Sequence, residues 1–198
     1  MIKLGFLASN NGSSMQAVVA AIAAGELAAE ARLIVSNRQA APALAFAQEH
    51  GIAAAFIPTL ADPEAADARL VETMTAADVE WIVLSGYLRK LGPKVLAAYE
   101  GHILNIHPAL LPRHGGQGMY GRRVHEAVLA AGDTVSGASV HLVDGEYDHG
   151  RVVARVEVTV LPGDTAADVE RRVTATEPAL FVKTLQAIVA NFGALPER

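Results

Sequence analysis

The chain has 198 residues, 52% of them hydrophobic, with 16 basic and 21 acidic side chains, a formal charge of −5 and no cysteine. That length fits one domain whose core can form without staples. The missing cysteines exclude disulfides and thiolate catalysis, and the mild acidity argues against long nucleic acid as a partner. No apolar run approaches the roughly 18 residues of a membrane span. The N-terminus, with Lys3 inside a strand-like stretch, has none of the marks of a signal peptide, so a cytoplasmic location is expected.

Short apolar runs alternate with amphipathic stretches. Lys3 to Ala8 is predicted as a buried strand, Ser13 to Ala24 as a helix stopped by Gly25, and Arg32 to Ser36 as a second strand. Pro42 to His50 reads as a helix with proline in its first turn, Ile52 to Ile57 as a strand, and Asp62 to Ala77 as a longer helix that Asp62 can cap. Glu80 to Ser85 follows as a strand, Pro93 to Tyr99 as a short helix, and His102 to Ile106 as a fifth strand. This βαβαβαβαβ order predicts a Rossmann-like α/β fold: a mixed, mostly parallel sheet with helices on both faces. Leu110 to Gly121 is too irregular and glycine-rich for an element. Then come a helix at Arg122 to Ala131, strands at Ala138 to Val143 and Val152 to Val160 around a charged loop, and a long helix at Thr165 to Val189. Nothing marks a domain boundary. The expectation is one domain over 1–198, with 1–100 and 101–198 as its two halves.

The first strand runs into Ser9-Asn10-Asn11-Gly12-Ser13-Ser14 and then a helix. A helix start offers free N–H groups and a positive dipole end, and small residues let an anion approach. Ordinary N-capping is an equal alternative. The loop lacks the glycines of GxGxxG and the lysine of a P-loop, which argues against NAD and ATP.

Asn105-Ile106-His107-Pro108 lies at the carboxyl end of the fifth strand, where ligands of open α/β sheets bind. Residues two apart on a strand face the same way, so Asn105 and His107 would share one site, an amide donor beside a titratable ring. That pair suits an oxyanion at a carbonyl carbon; two polar residues closing a strand are the alternative. About thirty residues on, Ser139-Val140-His141 and Tyr147-Asp148-His149-Gly150 add a second histidine and a loop carboxylate.

Asn105-Ile106-His107-Pro108, Leu110-Leu111-Pro112 and the stretch from Gly137 to Asp148 together resemble the folate-dependent formyltransferases, over nearly the whole chain. The resemblance implies Asn105, His107 and Asp148 as the catalytic set and a cis peptide at Leu111-Pro112. It also implies a substrate phosphate on Gly12, Ser13 and Ser14, with Glu177 on the ribose hydroxyls. A reduced folate is expected against Leu88, Arg89, Lys90 and Leu91, with Asn105 and His141 also in contact. Asn10 stands where the family often has glycine and Ser14 where it often has asparagine. Pro63 stands where many members place an arginine for the folate tail, and the 115–121 stretch looks like a variant loop.

The activity so implied is transfer of formyl from 10-formyltetrahydrofolate to the amine of glycinamide ribonucleotide, in purine synthesis. No metal is expected, nor a nucleic-acid or membrane partner, and the assembly would be a monomer or homodimer. Asp148 is expected to keep His107 charged. The alternatives are a formyl-folate hydrolase and a folate- or nucleotide-binding module without turnover.

Overall fold

The computed structural model describes residues 1–191 and 193–195. The first half follows the alternating pattern: β1 (Ile2–Leu7), α1 (Ser13–Ala23), β2 (Ala29–Ser36), α2 (Pro42–Glu49), β3 (Ala53–Phe56), α3 (Pro63–Ala76), β4 (Trp81–Leu84), α4 (Pro93–Ala98) and β5 (Ile103–His107). The second half adds α5 (Arg122–Ala130), β6 (Val135–Leu142), β7 (Val152–Thr159) and α6 (Ala166–Ala190). These form a single α/β domain around one seven-stranded sheet of order β3-β2-β1-β4-β5-β6-β7. Strands β1 to β5 pair in parallel, and β6 and β7 run antiparallel to their neighbours.

The central strands are apolar on both faces because helices cover both. Leu4, Phe6, Ile34 and Val83 point into a core shared with α1, α2 and α6. Leu7, Leu33, Val35, Ile82 and Leu84 alternate to the other face, against α3 and α4. Gly5 faces that second layer, where a Cβ would lie 2.6 Å from Met74 Sδ, so the strand–helix spacing depends on its missing side chain.

Two strands begin earlier than the sequence suggests. Ala29 and Glu30 pair with Ile2 and Lys3, and Val135, Ser136 and Gly137 pair with Thr159, Val158 and Glu157. These five residues lack a strand pattern of their own and take their conformation from a well-formed neighbour. Asp62 caps α3 as expected, its side chain accepting from Ala65 N at 3.0 Å. Thr165 and Asp168 close a capping box on α6. Among the described residues no helix is long and apolar enough to cross a membrane.

Candidate active site

The parallel register brings the carboxyl ends of β1, β2, β4 and β5 to one edge of the sheet, which places Ser13 and His107 at the same end. The loop after β1 is stitched there on both sides. Ser9, fully buried, donates to Asn37 Oδ1 at 2.6 Å and accepts from the backbone N–H of Leu88 at 2.8 Å. Ser85 Oγ accepts from Met15 N at 3.0 Å. Gly12 takes φ 65° at the N-cap of α1, a conformation glycine adopts without penalty. Among the described residues no protein acceptor takes the N–H of Ser13 or Ser14, so both are free to meet an anion. Ser13 is exposed, but Ser14 is buried. Ser14, with its side chain buried, has its backbone N–H to offer. Asn10, the departure from glycine, accepts from Arg38 Nη1 at 2.6 Å and so draws a guanidinium to the loop.

Asn105 and His107 sit on β5 opposite His141 and Ser139 of β6. His141 Nδ1 lies 2.7 Å from the Leu142 carbonyl and must donate to it. That leaves its Nε2 to accept from Asn105 Nδ2 at 3.0 Å, which fixes the amide orientation. His107 follows the same logic with the nitrogens exchanged. Its Nε2 donates to the His114 carbonyl at 2.8 Å, and its Nδ1 stands 3.4 Å from Asp148 Oδ2. Asp148 Oδ2 accepts from Gly116 N at 3.0 Å, and Oδ1 lies 3.5 Å from His141 Nε2. The loop between β5 and α5 is tied down by Ser139, whose hydroxyl donates to Ala109 O at 2.7 Å and accepts from Leu111 N at 3.1 Å. The Leu111-Pro112 peptide is cis.

The electrostatics depart from the expected charge on His107. Burial pushes its imidazole below the ordinary histidine value and outweighs the Asp148 carboxylate, which pulls the other way. The resting ring is therefore driven toward the neutral form, with a bare Nδ1 facing the carboxylate. For Asp148, burial alone would raise the carboxyl; the His141 and His107 rings whenever they are protonated, and the Gly116 N–H, outweigh it and lower the group below the ordinary carboxylate value.

Beside this set runs a narrow cleft of about 80 Å³ between the segment after β4 and the β6–β7 loop. Tyr87, Arg89, Lys90 and Leu91 form one wall, Tyr147 and Asp148 the other, and Asn105 and His141 the floor. Leu88 is not among the residues lining the cleft. Its side chain is exposed, and its part is the backbone N–H given to Ser9. Lys90 Nζ stands 5.6 Å from the centre of the Tyr147 ring, a cation–π contact across the cleft mouth.

A sequence profile of the formyl transferase family matches residues 2–185. The chain belongs to the formyl transferase family. Two curated relatives are named phosphoribosylglycinamide formyltransferase. One, the chloroplastic protein of Vigna unguiculata, is 36% identical over 188 residues, covering 94% of this chain and 60% of that protein. The other, from Escherichia coli K12, is 35% identical over 177 residues, covering 88% of this chain and 81% of that one. The chain thus spans less than two thirds of the plant relative. A crystal structure of glycinamide ribonucleotide transformylase 1 from Symbiobacterium toebii superposes with a TM-score of 0.88 at 30% identity, covering 96% of this chain and 89% of that one.

The remaining expected residues are more scattered. Glu177 lies on α6, which packs against α1. Burial alone pushes its carboxyl up to about 7. Pro63 is exposed at the first turn of α3, behind its cap Asp62. Arg38, His114, Gly116 and Asp133 were not anticipated. Only Arg38 had a usable signal, being a cation just past β2, the strand beside β1. A larger cavity of about 710 Å³, lined by Met1, Trp81, Tyr99 and His102, opens at the opposite end of the sheet. Asn105, His107 and Asp148 are not among the residues that line it.

Proposed function

We propose that the protein transfers the formyl group of 10-formyltetrahydrofolate to the amine of glycinamide ribonucleotide, a step of purine synthesis. The observation that carries this reading is the convergence of Asn105, His107 and Asp148 at the carboxyl end of β5: Asn105 and Asp148 line one cleft, and His107, buried, stands 3.4 Å from Asp148. The relatives' names give the same substrate.

The phosphate sits at the start of α1, on the N–H groups of Ser13 and Ser14 beside Gly12 and Arg38, and Glu177 accepts from the ribose hydroxyls. Thus residues 1–100 hold most of the nucleotide, and 101–198 carry the catalytic groups. The reduced folate enters the cleft along Arg89, Lys90 and Leu91. Pockets for ligands of that size usually measure about 300–1,000 Å³, so the cleft widens as the ligand enters, and the Lys90–Tyr147 contact is the one it must part. The protein works in the cytoplasm as a monomer or homodimer and needs neither a metal nor a macromolecular partner.

The substrate amine attacks the formyl carbon, and negative charge gathers on the formyl oxygen. Asn105 Nδ2 keeps one N–H for that oxygen while the other is held by His141. An oxyanion beside His107 puts a second negative charge near its ring, which raises its proton affinity when the charge develops. The proton can reside only on Nδ1, because Nε2–H is committed to His114. Asp148, ionised, takes a proton from the attacking nitrogen through water and returns it to the departing folate nitrogen. The carbon–nitrogen bond to the folate then breaks, leaving formylated ribonucleotide and tetrahydrofolate.

The test is to mix purified protein with both substrates and follow formylated ribonucleotide and tetrahydrofolate together. Equal production of both supports transfer. Release of formate at a rate indifferent to the ribonucleotide would establish the hydrolase instead.

A further inference from the structure

Three consecutive residues of the β5–α5 loop touch the catalytic pair through main-chain atoms or a missing side chain. The His114 carbonyl accepts from His107 Nε2 at 2.8 Å. The Gly116 N–H donates to Asp148 Oδ2 at 3.0 Å. Between them, a Cβ on Gly115 would lie 2.5 Å from Leu111 Cδ2 and 3.1 Å from Asp148 Cβ. One turn of chain therefore sets the His107 ring and the Asp148 carboxylate relative to each other.

A turn of this kind needs fastening. His114 holds φ 55°, a left-handed conformation uncommon outside glycine. Its side chain is anchored by Asp133, whose Oδ2 lies 2.7 Å from His114 Nε2, while Oδ1 accepts from Arg113 Nη2 at 2.6 Å. Asp133 is placed in turn by the end of α5: its N–H donates to Val128 O at 3.2 Å, following Gly132 at φ 69°. The chain of contact runs from the end of α5 through Asp133 and His114 to the catalytic ring, and neither Asp133 nor the His114 side chain lines the cleft.

We propose that Asp133 and His114 are positioning residues for formyl transfer. They fasten the 114–116 turn, which keeps His107 in the Nε2–H tautomer with Nδ1 toward Asp148. This inference rests on the function proposed above. A backbone carbonyl can only accept, so while the turn is fastened the neutral ring has one permitted tautomer. With the turn loose, the proton can sit on either nitrogen, and Nδ1 is no longer reserved for the reacting oxygen.

Two readouts test it on the full-length protein. Nitrogen-15 NMR of the free enzyme reports the tautomer of His107, its signal assigned by loss in His107→Gln. Steady-state formyl transfer gives kcat and KM. The parent should show a single Nε2–H tautomer. Asp133→Ala should mix the tautomers and lower kcat about 10- to 100-fold, with both KM values within about threefold, since small misplacements cost that much. Asp133→Asn, which can still accept from His114, should recover most of kcat, and Arg113→Ala should stay within about threefold of the parent. A folded Asp133→Ala with the parent tautomer and kcat within threefold overturns the proposal. So does a loss of thermal stability with unchanged kcat per folded molecule. Should Asp133→Ala fail to fold, Gly115→Ala decides by the same readouts, since its Cβ pushes the turn off Asp148; parent-like values there overturn the proposal. If the parent transfers no formyl group, the functional reading falls, and the tautomer comparison still decides whether Asp133 fastens the turn.

Discussion

Asn105 and His141 are register partners across the one junction where the sheet changes from parallel to antiparallel, and the amide Nδ2 of the first lies 3.0 Å from the ring Nε2 of the second. His141 thereby orients the Asn105 amide without needing to touch the reacting carbon itself. Removing a single preorganised donor to an oxyanion costs about 10²–10³ in turnover, so Asn105→Ala should lose that much of kcat. His141→Ala should lose less, about tenfold, because the amide remains but can rotate. Single-turnover transfer at saturating substrates measures both, and a His141→Ala rate equal to the parent's would show that the amide needs no partner.

Asp148→Asn keeps the shape of the side chain and removes its charge. Loss of the proton carrier should lower turnover by about 10²–10⁴, or roughly 3–5 kcal/mol of transition-state stabilisation, with far smaller changes in ground-state binding. The carboxylate is also what opposes the burial of His107. The His107 pKa, already depressed, should fall further in the variant, as an NMR titration would record. A variant within a few-fold of the parent rate removes Asp148 from the proton path.

Glu177 gives a pH signature of unusual sign. Its folded carboxyl titrates at about 7 instead of 4.5, so between those values the native protein keeps a proton that the unfolded chain has lost. Stability from this group is present below pH 4.5, declines as pH rises and is gone above about 7. His107, depressed when folded, works oppositely: its contribution is present above the ordinary histidine value and lost as pH falls. The difference between parent and Glu177→Gln melting curves isolates the first effect. The ionised Glu177 is the better acceptor for ribose hydroxyls, so KM for the ribonucleotide should fall as pH rises through about 7, and this trend should vanish in Glu177→Gln.

At the phosphate end, Gly12→Val meets two obstacles. The position holds φ 65°, and a Cβ there comes within 3.1 Å of Met15 Cε and 3.2 Å of Ala8 Cβ. Ribonucleotide affinity should fall at least about tenfold, with some loss of stability from strain of about 1–2 kcal/mol. Folate affinity should stay within about threefold. Arg38→Ala should raise ribonucleotide KM several-fold and leave kcat alone. Isothermal titration with each ligand separates the ends of the site, and an equal loss for folate would mean that they are misassigned.

The alternating first half was legible because each buried strand is apolar on both faces and each helix carries a stop or cap, such as Gly25 or Asp62. The juxtaposition of Asn105 and His107 is legible because the two share a strand face, and the family resemblance adds Asp148. What the sequence hid was set by long-range pairing. Asp133 and His114 stand nineteen positions apart with no periodic relation, and meet only because α5 returns its end to the loop before it. The neutral bias of His107 is likewise a property of depth: a carboxylate neighbour suggests the opposite sign until burial is known.

Helix α6 has a consequence for how the chain is made. Val173, Phe181, Leu185 and Ile188 complete the layer that covers Met15 and Val18 of α1, and Gln186 bonds the Glu26 carbonyl across 160 residues at 2.9 Å. During synthesis the first βα units therefore emerge with an apolar flank that stays uncovered until α6 has left the ribosome. A fragment stopped at residue 100 should fail to hold its shape and should bind a dye for exposed apolar surface. Residues 1–198 together should melt in one cooperative step, because α1 and α6 are two sides of the same seam.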